Sequence, residues 1–495
     1  MQSLPRRQFL LTAAKATAAV TASTLLSCAK QKQPNILWLI SEDTSPDIGC
    51  YGNPLVKTPN LNKLASQGIR FDNAFATCPV CSPSRSAFMS GMYQNYIGAH
   101  QHRTFNAQPL PEPVQVITRY FQQAGYFVSN GAGRDPDKAG KTDWNFTHAE
   151  DVFDGTDWSQ RAEGQPFFHQ INFRLTHRTF ERDPENPIDP DKVDIPPYYP
   201  DHPLTRRDWA DYLESLQVLD KDVGAVLQRL QDEDLLDKTI IFYFGDHGRP
   251  HVRGKQWLYE GGIRVPLIVR FPDKKKAGTT SETMVSLIDL APTSMKLAGI
   301  KPPDHLYGHD FLGFWSRKRQ EIYAARDRCD GTADRIRCVR TKRFKLIRNY
   351  YPERPYTQFN GYKKFQYPVL TLMKIMHERG ELSPAAAKFW APTRPEFELY
   401  DLQTDPHEVN NLADNPEFAG IKKELEQKLN DWEQRYDKGI YPEDPEVVAF
   451  QQDYMQQKYI ERMSNRGQDP DISDQAYLEW WEKMLLEQEP VEWYE

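Results

Sequence analysis

Two short apolar runs, some two hundred residues apart, constrain the fold most. Residues 35–40 read NILWLI and residues 239–244 read TIIFYF. Neither run alternates polar with apolar side chains, so each must be covered on both faces. That is the mark of an interior strand in a parallel sheet flanked by helices. Each run stops in acids: Ser41-Glu42-Asp43 follows the first and Gly245-Asp246-His247-Gly248 the second. In open α/β sheets ligands gather beyond the C-terminal strand ends, and both acidic clusters fall there.

The rest of the first three hundred residues keeps the same rhythm. Helical patterns over 60–67, 84–90, 114–123 and 288–297 alternate with strands over 69–75, 126–129, 167–173 and 265–270. Trp209, Leu213, Leu216, Val223 and Leu230 recur at helical spacing and predict one long amphipathic helix. The fold class expected is α/β, a mostly parallel sheet sandwiched by helices, over residues 34–310. Beyond Gly308 the strands at 321–325, 335–340, 342–347 and 399–402 are short and closely spaced, which predicts antiparallel pairing. A helix over 417–436 follows, making 311–440 a smaller C-terminal α+β subdomain. Residues 441–495 read as a helical tail packed on the surface.

At 495 residues the chain is long enough for one large domain and a smaller one. Its 62 Lys and Arg against 69 Asp and Glu give a net charge of −7, so nothing points to nucleic acid as a partner. Six cysteines in this length make no disulfide framework. The first residues stand apart. Arg6-Arg7-Gln8-Phe9-Leu10 precedes a mildly apolar run, and Leu25-Leu26-Ser27-Cys28 follows it. The segment 1–28 looks like a twin-arginine export signal joined to a lipobox, with Cys28 the lipidated residue and 29–33 a tether. The alternative is an ordinary cleaved signal with a chance cysteine. The expectation is an exported lipoprotein, periplasmic or at the outer membrane or cell surface, held to a membrane by its lipid anchor.

Cys81-Ser82-Pro83-Ser84-Arg85 is the most informative segment. It spells C-x-P-x-R, the signal for converting cysteine to formylglycine. With Cys81 to Gly91 (CSPSRSAFMSG), the chain resembles the type I sulfatases of the alkaline-phosphatase-like superfamily, and the resemblance runs from about Asn35 to Leu412. The competing reading, a redox or metal pair Cys78-Pro79-Val80-Cys81, lacks a second C-x-x-C or a nearby His pair. The resemblance implies an alkaline-phosphatase-like fold. It also implies a maturing enzyme that oxidises Cys81, and a divalent cation held by Glu42, Asp43, residue 81, Asp246 and His247. Three carboxylates favour Ca²⁺; the histidine nitrogen keeps Mg²⁺ open. Glu42 stands where the family usually has aspartate. Hydrated formylglycine attacks sulfur with one oxygen and expels sulfate through the other.

The same resemblance assigns further roles. Arg85 would hold the modified residue and the cation site in register. Lys141, in Gly140-Lys141-Thr142-Asp143, would contact the modified residue and sulfate. Asp143 stands where the family has histidine. His177, after a strand, is the candidate general acid for the leaving oxygen. Lys255, ahead of Tyr259-Glu260-Gly261-Gly262, would bind sulfate. Met92 to His102 (MYQNYIGAHQH) is similar to heparan N-sulfatases and their bacterial relatives, a branch whose members include ulvan-active enzymes. His100, His102 and Arg103 are candidate substrate-binding residues. Arg326-Asp327-Arg328 reads either as a sugar subsite or as a solvated charge run. The function expected is a sulfatase acting on a sulfated polysaccharide or its oligosaccharides. The alternatives are a phosphoester or phosphonate monoester hydrolase of the same superfamily and a catalytically silent glycan-binding lipoprotein.

Overall fold

Every residue of Asn35–Ser41 (β1) is buried. Its side chains divide by parity: Ile36, Trp38 and Ile40 enter one apolar layer, Leu37 and Leu39 the other. Apolar layers on both faces explain why the run shows no alternation. The structure, a computed structural model, describes residues 33–313 and 318–487. The export signal, the lipobox and Cys28 lie outside the described residues.

The remaining strands of the main sheet are Ile69–Phe75 (β2), Phe127–Ala132 (β3), Asp135–Ala139 (β4), Phe167–Phe173 (β5), Thr239–Gly245 (β6), Arg264–Arg270 (β7) and Thr279–Ser286 (β8). Their order is β4-β3-β5-β1-β6-β7-β2-β8. The centre, β3-β5-β1-β6, is parallel, as is β2-β8. β7 runs antiparallel to both its neighbours and β4 antiparallel to β3. The sheet is thus mixed but mostly parallel. A second sheet, Phe397–Asp401 (β12), Phe344–Asn349 (β11), Ile336–Arg340 (β10) and Ile322–Arg326 (β9), is wholly antiparallel.

Helices cover both faces of the main sheet: Pro59–Ser66 (α1), Cys81–Ser90 (α2), Ile117–Gln123 (α3), Pro203–Asp232 (α4) and Leu290–Leu297 (α5). Trp209, Leu216, Val223 and Leu230 of α4 pack on the layer holding Leu37 and Leu39. Phe88, Phe121 and Met295 pack on the other. The expected helix start at 114 moves to Ile117, because Val114 closes a turn onto the Pro111 carbonyl. Further on come Gly361–Gln366 (α6), Pro368–Glu378 (α7), Ala419–Tyr436 (α8), Pro445–Asn465 (α9) and Asp474–Leu486 (α10). Among the described residues no helix is long and apolar enough to cross a membrane.

Trp38 anchors the α2/α5 face. Its ring meets Phe88, Phe168 and Phe244 edge-on at 5.1–6.1 Å, and its indole N–H donates to Ser294 Oγ at 3.0 Å. Trp38→Ala should therefore cost about 3–5 kcal/mol, since the site is too tightly held to collapse. Ser294→Ala, which only orphans the buried N–H, should cost about 1–3 kcal/mol. The midpoints of urea unfolding check both; equal shifts would contradict the packing argument.

Candidate active site

The strand register builds the site. Parallel pairing sets Ser41 of β1 beside Gly245 of β6, so the residues that follow leave the sheet side by side. Asp43 turns into the left-handed region (φ 50°), and its N–H donates to Asp246 Oδ1 at 2.9 Å. Glu42, Asp43, Asp246 and His247 are all fully buried. Val80 is extended and α2 begins at Cys81. The thiol thus sits at the N-terminal end of a ten-residue helix, where free N–H groups and the helix dipole favour an anion.

Cys81 Sγ lies 3.3 Å from His247 Nε2 and 3.9 Å from Asp43 Oδ1. His247 Nε2 is 3.0 Å from Asp43 Oδ1. Three cations complete the cluster. Arg85 Nε donates to Asp246 Oδ2 at 3.0 Å, and its NH1 to Asn172 Oδ1 at 2.6 Å. Lys141 Nζ donates to Glu42 Oε2 at 2.9 Å. Lys255 Nζ donates to both oxygens of Asp43, at 3.0 and 2.7 Å. Asp143 takes a bidentate pair from Arg103 and lies 3.4 Å from Lys141. Residues at 42–43, 81–85, 141–143, 246–247 and 255 thus converge beyond the C-terminal ends of the central strands β1 and β6.

These residues could hold a divalent metal ion. Asp43 Oδ1, Cys81 Sγ and His247 Nε2 lie mutually within 4.8 Å. Glu42 Oε1 is buried without a hydrogen-bond partner, which leaves an oxygen lone pair open to a cation. Burial pushes the Glu42 carboxyl up, but Lys141 and Arg85 outweigh it and hold it down at about 2. Burial likewise opposes charge on His247, yet Asp246 and Asp43 hold its imidazole up at about 10. A metal ion here would displace that proton.

His177 stands beyond β5 with its ring beside Tyr362, 6.0 Å between centroids. Its Nδ1 is 2.7 Å from the Arg178 carbonyl, so Nδ1 carries the proton. Burial, reinforced by the Lys255 ammonium, pushes the ring down to about 4. At neutral pH it is uncharged, with the proton on Nδ1 and none on Nε2.

The matches to known proteins agree with this geometry. The sulfatase family profile matches residues 34–300, more than half of the chain. The chain belongs to the sulfatase family. A second profile, N-sulphoglucosamine sulphohydrolase, C-terminal, matches 245–365 and 386–435. An ulvan-active sulfatase of Formosa agariphila is 35% identical over 455 residues, covering 81% of this chain and 75% of that protein. Human N-sulphoglucosamine sulphohydrolase is 26% identical, covering 83% and 91%. Among solved structures, an enzyme bound to its substrate D-glucosamine-2-N,6-O-disulfate has a TM-score of 0.59 at 20% identity, covering 82% and 98%. A phosphonate monoester hydrolase of Agrobacterium radiobacter has a TM-score of 0.61 at 16% identity, covering 81% and 96%. These two likenesses establish the alkaline-phosphatase-like fold. The protein is a sulfuric ester hydrolase.

Within this sulfatase the three sugar candidates separate. Arg103 is half-exposed beside Asp143, its side chain 52% accessible. His102 is buried and bonded to Asp330, Nδ1 to Oδ1 3.1 Å. His100 is buried against Tyr441 and does not join the catalytic cluster. Arg326, Asp327 and Arg328 are buried and ion-paired, to Asp334, Arg337 and Glu443, so the run is not solvated. Sequence reasoning missed Asn172, which holds Arg85, although a polar side chain in the buried run FFHQINF was a usable signal. It also missed the Arg178–Asp208 pair, bidentate at 2.6 Å, which fixes the carbonyl that orients His177.

Proposed function

We propose that this sulfatase uses formylglycine, made from Cys81 by a maturing enzyme, to desulfate an ulvan-type polysaccharide or its oligosaccharides. The observation that carries the reading is the placement of Cys81. It opens a helix within a C-x-P-x-R motif, 3.3 Å from His247, inside a ring of buried carboxylates and cations. Glu42, Asp43, Asp246 and His247 would hold a divalent cation, Ca²⁺ or Mg²⁺, that offsets charge on the sulfate oxygens. Formylglycine at position 81 supplies the nucleophile. Lys141 and Lys255 bind sulfate oxygens, and Arg85 keeps the end of β6 against α2. His177 donates a proton to the leaving oxygen once the anion has bound. The 35% identical relative named for ulvan supports the substrate class. The signal-like segment, Arg6-Arg7 with Ser27-Cys28, supports export and a lipid anchor facing the periplasm or the outside.

The test is sulfate release from ulvan, heparan, chondroitin, carrageenan and fucoidan oligosaccharides, with sulfate and phosphate esters of p-nitrophenol alongside. Preference for ulvan oligosaccharides and for the sulfate ester is expected. A faster phosphate ester would assign the protein to the other hydrolases of this fold. His177→Gln should lower kcat on a sugar sulfate by about 100-fold or more. It should spare p-nitrophenyl sulfate, whose leaving group needs no proton. Equal losses on both substrates would remove His177 from the acid role.

A further inference from the structure

Three large hydrophobic side chains exposed among the described residues lie together: Phe105 at 56%, Phe450 at 56% and Tyr454 at 40%. Phe105 meets Phe450 at 4.9 Å and Tyr454 at 5.0 Å, both edge-on. Phe450 and Tyr454 stand four residues apart on α9, hence on one face of the helix. Phe105 comes from the loop just after Arg103. Exposed aromatic clusters of this kind cost solvation and mark binding surfaces.

Hydrogen bonds fix this cluster relative to the nucleophile. Gln451, the buried residue after Phe450 on α9, donates Nε2–H to the Arg103 carbonyl at 3.2 Å. Its Oε1 accepts from Arg328 NH1 at 3.3 Å, and Arg328 also donates to the His102 carbonyl at 3.1 Å and to Glu443 at 2.8 Å. The Arg103 N–H donates to Ser82 Oγ at 3.0 Å, one residue from Cys81. The tail helix is therefore tied to the loop that borders the site, and the half-exposed Arg103 guanidinium in that loop shares Asp143 with Lys141.

We infer that Phe105, Phe450 and Tyr454 form a stacking platform which, with Arg103, holds a sugar residue of the substrate chain next to the one that loses sulfate. The inference rests on the polysaccharide reading above. A pyranose ring has an apolar C–H face that lies on aromatic rings at little entropic cost, and its sulfate or carboxylate meets the guanidinium. Three rings are too few for a protein interface, which takes about 800 Å² from each partner. Around them α9 carries Gln452, Asp453, Gln456 and Gln457, with Lys458 the cation beside the rings, its Nζ 5.9 Å from the Tyr454 centroid and paired with Glu461; one paired lysine is not the basic face of a membrane-surface helix.

The experiment compares Phe450→Ala/Tyr454→Ala and Phe105→Ala with wild type on ulvan oligosaccharides and p-nitrophenyl sulfate. The ratio of kcat/KM for oligosaccharide to that for the aryl ester should fall about tenfold, carried by KM. An unchanged ratio overturns the platform. So does loss of wild-type binding to phosphatidylethanolamine–phosphatidylglycerol vesicles with oligosaccharide kinetics intact, which would assign the rings to a membrane. Should wild type cleave the aryl ester but no sulfated oligosaccharide, the substrate reading fails by itself. Affinity electrophoresis of Cys81→Ala protein in ulvan gels then decides the platform: retardation lost on adding the two α9 substitutions supports it, and retardation unaffected or absent overturns it.

Discussion

Cys81→Ala is expected to abolish desulfation, with kcat falling by about 10⁵-fold, because a covalent route has no substitute once its nucleophile is gone. The loss should come without unfolding. Alanine suits the first turn of a helix, and the thiol's close contacts are with Asp43 and His247 rather than with the apolar core. Cys81→Ser should be nearly as inactive, since a serine that took up sulfate has no second hydroxyl with which to expel it. In active wild-type protein the peptide carrying residue 81 should be about 18 Da lighter than its thiol form. Cys78, three residues earlier, should remain a thiol. It is buried with Val80 and Cys329, and burial pushes its proton affinity well up, away from thiolate chemistry. Fully active protein with an unmodified Cys81 would end the formylglycine reading.

The strands legible in the sequence are those whose environment is uniform. β1, β5 and β6 are buried along their whole length; in β1 and β6 a nearly unbroken apolar run marks the limits to within a residue, and in β5 the flanking Phe167-Phe168 and Phe173 do so around buried polar side chains. β4 (DPDKA) is exposed throughout, at the sheet edge, and β8 opens in exposed polar residues. Neither carries a hydrophobic signal, and both escape a reading based on periodicity. The helix Pro368–Glu378 escapes for the opposite reason. PVLTLM is apolar at nearly every position, because its residues pack against both the main core and the α9–α10 cluster. The site divides in the same way. Cys81, Arg85, Asp246 and Lys255 lie in local motifs whose spacing is visible. Asn172, Asp208 and Asp330 act on partners 30 to 228 residues away, and no local pattern announces them. The Arg326-Asp327-Arg328 run misleads for a related reason: its counter-charges at Asp334, Arg337 and Glu443 become neighbours only through the second sheet and the segment that leads into α9.

Asp43→Asn is expected to lower the rate by at least about 100-fold and to weaken divalent-metal binding by a comparable factor. The substitution isolates charge from shape. Asn is isosteric and tolerates the left-handed φ of 50° that this residue adopts, where alanine would add strain. What changes is the carboxylate that accepts two hydrogen bonds from Lys255 and lies 3.0 Å from His247 Nε2. Asn offers an N–H₂ toward one of these cations, so two buried positive charges lose their nearest counter-charge. The proton on His247 gives a readout independent of activity. With its imidazole held up at about 10, metal-free protein carries that proton at pH 7. Loading Ca²⁺ or Mg²⁺ should then release about one proton per site into a weakly buffered solution. In Asp43→Asn both the release and the metal affinity should drop together. Glu42→Asp, which keeps the charge and loses only reach, should retain more activity than Glu42→Ala. If exhaustively chelated protein keeps its full rate, and metal addition releases no proton, the carboxylate cluster serves only to position Arg85, Lys141 and Lys255, and the cation must be struck from the mechanism.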